Sequence, residues 1–122
     1  MLLLVARVSV AMFGWAATVR AWERRYRQPA TSHHDPDALE RIDTVVRETA
    51  ARSLLHHECK ERGLACLAMA RGAGIAADLL VGLTYSPLAA HVWVECDGCI
   101  ISDLPEHCAP FEPVMRYDGN AR

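Results

Sequence analysis

Apolar residues crowd the start of the chain and then fall into two different periods. From Met1 to Val19 only Arg7, Ser9 and Thr18 interrupt an apolar run. That run predicts a helix, with Trp15, Trp22 and Tyr26 continuing it toward Arg24 and Arg25. Gln28 to His34 reads as a connector, broken by Pro29, Thr31 and Ser32. Asp35-Pro36 then marks a helix start, Asp35 as N-cap and Pro36 at the first helical position. Leu39, Ile42, Val46 and Ala50 follow at spacings of three and four, so one face is apolar to about Arg52. A third helix is expected from Cys59 to Arg71, burying Leu64, Leu67 and Ala68, with Gly72-Ala73-Gly74 ending it.

Beyond that point the period drops to two. Ala77, Leu79, Val81 and Leu83 alternate with Asp78, Leu80, Gly82 and Thr84, which predicts a strand. Tyr85-Ser86-Pro87 breaks it. Ala89 to Glu95 makes a second strand, Asp97-Gly98 a turn, and Cys99 to Asp103 a third. Helices precede strands, so the class is α+β, with N-terminal helices packed on a small antiparallel sheet. The 122 residues suffice for one domain. Within it, 1–52 are the N-terminal helices and 53–122 the remaining helix and strands.

The hairpin register controls whether two polar residues meet. A two-residue Asp97-Gly98 turn pairs Cys96 with Cys99 and puts His91 and Asp103 on opposite faces. A three-residue loop with Gly98 in a left-handed bulge pairs Glu95 with Cys99 instead. Trp93 then faces Ile101, and His91 stands opposite Asp103, close enough for a carboxylate to reach an imidazole N–H. The second register is the expected one. A structural His–Asp pair on a half-buried sheet would look the same.

Composition narrows the class. At 52% hydrophobic and 23% charged, the chain is a folded protein. A formal charge of −2, with no Lys/Arg stripe interleaved with aromatics, argues against nucleic acid. Five cysteines are an odd number, and Leu2, Leu3 and Leu4 follow the initiator without the basic segment of a secretory signal. Free thiols in a reducing cytoplasm are therefore expected. Arg7 sits inside the first apolar run, so that run reads as a buried or partner-facing helix rather than a membrane span.

Among the thiols, Cys59 opens a helix, at the positive end of the backbone dipole, where a thiolate is favoured. Cys66 is mid-helix and packs in the core. Cys96-Asp97-Gly98-Cys99 has the shape of half a zinc knuckle, whose other ligands would come from His107, Cys108, His56 or His57. No second C-x-x-C accompanies it, so these read as incidental thiols, and neither metal nor cofactor is expected. His56 and His57 lie on a connector and read as solvent-exposed rather than as a base for Cys59. Trp93 reads as core or cleft wall, and Glu95 as a solvated residue.

Cys59-Lys60-Glu61-Arg62-Gly63-Leu64, Gly74-Ile75-Ala76-Ala77 and Ala90-His91-Val92-Trp93-Val94-Glu95, with Asp97-Gly98 and Asp103, form a pattern. It resembles the transglutaminase-like leader peptidases of lasso-peptide biosynthesis, papain-like cysteine proteases. The resemblance covers roughly Leu39 to Asp103. Cysteine to histidine is 91 − 59 = 32 residues, and histidine to aspartate 103 − 91 = 12, as in that family. Val92 where the family often has Ala, and Lys60 where an apolar residue is common, are departures.

The resemblance implies a triad of Cys59 as nucleophile, His91 as base and Asp103 orienting the base. It implies a precursor peptide as substrate, its leader removed so that an ATP-dependent lasso cyclase can use the freed amine. No strands for a leader-binding domain precede Cys59, so a separate leader-binding partner is expected, with the apolar N-terminal helix as a docking surface. Two other readings stay open. One is a transglutaminase-like acyl transferase using the same triad; the other is a non-catalytic zinc-knuckle or binding subunit.

Overall fold

A computed structural model describes residues 2, 3, 6, 14–29, 36–52, 59–86, 88–96 and 98–118. The expected N-cap Asp35, the connector histidines His56 and His57, Asp97, and most of the apolar run before Gly14 lie outside the described residues. The elements are helices α1 (Trp15–Arg25), α2 (Pro36–Arg52), α3 (Cys59–Gly72) and α4 (Pro105–Cys108). The strands are β1 (Asp78–Tyr85), β2 (Leu88–Cys96), β3 (Cys99–Ile101) and β4 (Glu112–Tyr117). They form one antiparallel sheet in the order β3-β2-β1-β4. The class is α+β, with helices packed on a small antiparallel sheet, as expected. Among the described residues no helix is long and apolar enough to cross a membrane.

Gly14 interrupts the expected continuous first helix: its φ of 80° is a left-handed conformation, and α1 starts at Trp15. Ahead of it, Leu2, Leu3 and Ala6 also have helical backbone. Leu3 and Ala6 are buried among Val19, Leu39 and Val46, so at those positions the segment serves this chain's own core rather than a partner.

Helix α3 is the centre of the molecule. One side packs on β1 and β2, and the other receives α1 and α2. Gly63 allows the closest approach to the sheet: a Cβ there would stand 3.1 Å from Val92 Cγ1 and 3.2 Å from Leu79 Cδ1. Because α3 is covered nearly all round, it buries Glu61, Ala65, Cys66, Ala70 and Arg71 as well as Leu64, Leu67 and Ala68. A helix enclosed in this way shows little amphipathic period. Its end is a Schellman cap, with Gly74 at φ 82° and the Ile75 N–H donating to the Ala70 carbonyl at 3.0 Å.

Sheet parity divides the apolar residues. Leu79, Val92, Val94, Cys96 and Ile101 join the main core under α3. Leu80 and Trp93 point the other way, into a smaller cluster with Cys108, flanked by Ile100 and Phe111. Strand β4, which the alternation pattern did not reveal, pairs with β1 and carries a bulge at Val114. Its sequence hides it: Pro113 and the extra residue spoil a period of two.

Arg71 ties these parts together. Its guanidinium, fully buried, donates to Glu23 Oε1 at 2.7 Å, to the Tyr26 carbonyl at 2.8 Å and to the Ala77 carbonyl at 3.0 Å. Gln28 braces the same junction, accepting the Ala77 N–H at 2.9 Å and donating to its carbonyl at 2.6 Å. Trp22 Nε1 adds a bond to the Leu64 carbonyl at 2.8 Å, joining α1 to α3. Arg71→Ala leaves the Glu23 carboxylate buried without its partner, so urea unfolding should show a loss of about 3–5 kcal/mol. Arg71→Lys should recover little of it, because an ammonium cannot reproduce the fork.

Candidate active site

The His91–Asp103 contact is present, but not by the route expected from sequence. The hairpin takes the two-residue turn, pairing Cys96 with Cys99, Glu95 with Ile100 and Val94 with Ile101. Gly98, at φ 79°, supplies the left-handed turn residue. This corrects the expected bulged register, and its physical reason is burial. Pairing Val94 with Ile101 places both in the main core, where they are 0% and 5% exposed. The alternative would send Ile101 to the face of Trp93.

In an uninterrupted strand that register would strand Asp103 on the wrong face. The strand stops instead. β3 ends at Ile101, and Ser102 adopts φ 75°, the one non-glycine residue with positive φ among those described. Such a conformation costs about 1–3 kcal/mol and persists only where its surroundings hold it. Here α2 holds it: Asp43 Oδ1 accepts the Ser102 N–H at 2.8 Å, and Arg47 Nε pairs with the same carboxylate at 3.0 Å. The chain turns at Ser102, and Asp103 Oδ2 comes to 2.5 Å from His91 Nε2.

Asp103 serves two histidines. Its other oxygen, Oδ1, lies 2.7 Å from His107 Nδ1 and accepts the Leu104 N–H at 2.7 Å. Burial works against ionisation of this carboxyl, and the bonds from His107, Leu104 and His91 more than offset it, holding Asp103 below its ordinary range. An ionised carboxylate only accepts, so the proton of the contact belongs to His91 Nε2. Phe111 stacks on the His91 ring at 5.0 Å and Trp93 tilts against it at 6.0 Å. Gly82, opposite His91 on β1, leaves room for both: a Cβ there would meet the Trp93 ring at 2.7 Å and Phe111 Cβ at 2.8 Å.

Cys59 opens α3 and is half-buried against the main core. The contact of Gly63 with Val92 and the bond from Arg71 to Ala77 orient α3, its last turn at the start of β1. Its first turn lies past Val92, toward the end of β2 that bears His91. The thiol drawn directly to the pair is Cys108, whose sulfur shares a 4.8 Å neighbourhood with one ligand atom each of His91 and Asp103. Cys108 is buried, and burial, with the charges of Asp103, Cys59 and Glu95, pushes its thiol up to about 11. That describes a protonated, unreactive thiol. Cys66 is buried and its thiol is pushed up by that burial, as a core residue should be.

Cys96 and Cys99 face each other across the turn. Two of the further ligands that the half-knuckle reading drew on, His56 and His57, lie outside the described residues. Three residues of the site were not legible as such: Asp43, His107 and Cys108. Only His107 and Cys108 carried a signal, as candidate ligands for a metal at a different place.

The model of the Transglutaminase-like superfamily matches residues 1–116. The chain belongs to that superfamily. No curated protein and no solved structure matches it. The superfamily match reaches into β4, well beyond Asp103. A transglutaminase-like domain is a domain of cysteine proteases and acyl transferases, and in this one the cysteine grouped with His91 and Asp103 is Cys108, not the expected Cys59.

The Asp103 carboxyl has a testable acid signature. Its folded value lies below the ordinary 3.8, so ionisation favours the folded state. That contribution is complete above the unfolded value and drains away as pH falls through the folded one. Below pH 4, tryptophan-monitored unfolding should show Asp103→Asn losing stability less steeply than the parent chain. Identical acid profiles would mean that the carboxylate is not held as described.

Proposed function

We propose that this chain is a cysteine peptidase that removes the leader from a ribosomally synthesised lasso-peptide precursor. The observation that carries the reading is the His91–Asp103 contact. With Nε2 donating to the carboxylate, the lone pair of the ring sits on Nδ1, where a general base needs it. In the proposed reaction Cys59 gives its proton to His91 Nδ1, and its thiolate attacks the last leader carbonyl. His91 then protonates the departing amine. Water, deprotonated by His91, hydrolyses the thioester and frees Cys59, while Asp103 holds the ring throughout.

The five free thiols suit a reducing cytoplasm, where such precursors are made. Selecting a long flexible leader calls for an extended surface, commonly a sheet edge. Strand β4 is an edge, but Pro113 removes a donor, and Glu112 and Arg116 add charges, features that discourage strand addition. A separate leader-binding partner therefore remains part of the reading, with an ATP-dependent cyclase consuming the product. Membership of the superfamily also favours a second reading, acyl transfer to an amine by the same three residues.

The test is mass spectrometry of a precursor peptide incubated with the chain, with and without a candidate leader-binding protein. Hydrolysis yields two fragments, and transfer yields one joined species. Cys59→Ala should abolish product, whereas Cys66→Ala and Cys99→Ser keep most of it. Asp103→Asn should slow turnover by about 10³ to 10⁴, the scale seen when a triad aspartate becomes an amide. The partner should raise the rate on the order of 10² by concentrating substrate. Cleavage that survives in Cys59→Ala would remove the nucleophile from this account.

A further inference from the structure

We propose that His91, Asp103 and Cys108 form a zinc-type transition-metal site whose occupation disables the catalytic base. One ligand atom from each lies within 4.8 Å of the other two. Asp103 and Cys108 flank the turn and short helix after β3, five residues apart (108 − 103), and the fold brings His91 of β2 to them. A nitrogen, an oxygen and a sulfur donor at one point form a borderline-soft set, suited to Zn²⁺ and ill suited to Mg²⁺ or Ca²⁺.

The geometry needs a modest adjustment. Ligand atoms around tetrahedral zinc stand about 3.4 Å apart, so a gap of up to 4.8 Å closes by at most about 1.4 Å, while the 2.5 Å His91 Nε2–Asp103 Oδ2 contact opens by about 0.9 Å. That is within reach of side-chain rotation. His107, 61% exposed beside Asp103, marks the side from which an ion enters, and it or a water fills the fourth position.

Binding rearranges protons without any redox change. Metal bonds form to Cys108 Sγ, His91 Nε2 and an Asp103 oxygen. The S–H bond of Cys108 breaks and its proton goes to solvent, and the His91–Asp103 hydrogen bond is lost. The proton on Nε2 leaves as Nδ1 acquires one, so the ring stays neutral. The lone pair on Nδ1 is then taken, and Cys59 has no acceptor. This last step rests on the function proposed above; the binding itself does not.

The experiment separates the two. Co²⁺ is titrated into the Cys59→Ala chain, which is inactive and lacks that thiolate. One equivalent should bind with a thiolate-to-cobalt charge-transfer band, released by chelator and displaced by Zn²⁺. Adding Cys108→Ser should abolish the band, and adding Asp103→Asn should weaken binding by about 10–100-fold or more. Cys99→Ser should change nothing. No band, or one that survives Cys108→Ser, overturns the site; if that variant does not fold, unchanged affinity in Asp103→Asn does so instead. In the chain that retains Cys59, zinc should stop precursor cleavage and chelator restore it, while Cys108→Ser cleaves in the presence of zinc. Bound zinc with undiminished cleavage overturns the switch. A chain that never cleaves the precursor refutes the peptidase reading and leaves the cobalt result standing.

Discussion

Arg71 is the constraint on which the other parts rest. A guanidinium with no exposure to water is costly to bury, and a salt bridge alone repays little of that cost. What the arginine provides is reach. Its planar fork touches α1, the residue that follows it and the strand entry at Ala77 at once, from the last turn of α3. A central helix packed by methyl groups alone can slide and rotate. One pinned at its end cannot, and so its opposite end, where Cys59 stands, is held relative to β2.

The second constraint is local. A three-residue β3 satisfies two demands that a longer strand would set against each other. Ile101 must face the core with Val94, and Asp103, two residues on, must reach the other face. Regular pleating forbids this, since residues two apart share a face. The left-handed Ser102 breaks the parity, and Asp43 offsets the strain by taking its N–H. A helix residue 59 positions upstream of Ser102 thus shapes the site.

Much of this was legible in the sequence because it is periodic or capped. The spacing of Leu39, Ile42 and Val46 marked α2, and alternation marked β1 and β2. Gly72-Ala73-Gly74 marked the end of α3, and the helix start at Cys59 stood where it was expected. What escaped depends on comparing alternatives in three dimensions. Two hairpin registers were both chemically sound, and only the burial of Ile101 separates them. Strand β4 was hidden by Pro113 and a bulge. Gly14 looked like one more small residue in an apolar run. Nothing local ties Asp43 to Ser102, and Cys108 gains meaning only once α4 folds back on the strand bearing His91.

That fold-back sets the order in which the site can assemble during synthesis. The emerging chain delivers Cys59 first, then His91, then Asp103, yet the contacts around the imidazole are still incomplete. The stack of Phe111 on the imidazole and the second grip on the carboxylate by His107 come from residues made later still. The strand that follows them, β4, must find its place beside β1 before this cover is fixed. Domains fold as units while translation proceeds at roughly 5–20 residues per second. At that pace the twenty residues from His91 to Phe111 (111 − 91) take roughly 1–4 seconds to make, and until then the imidazole lacks its stacking partner.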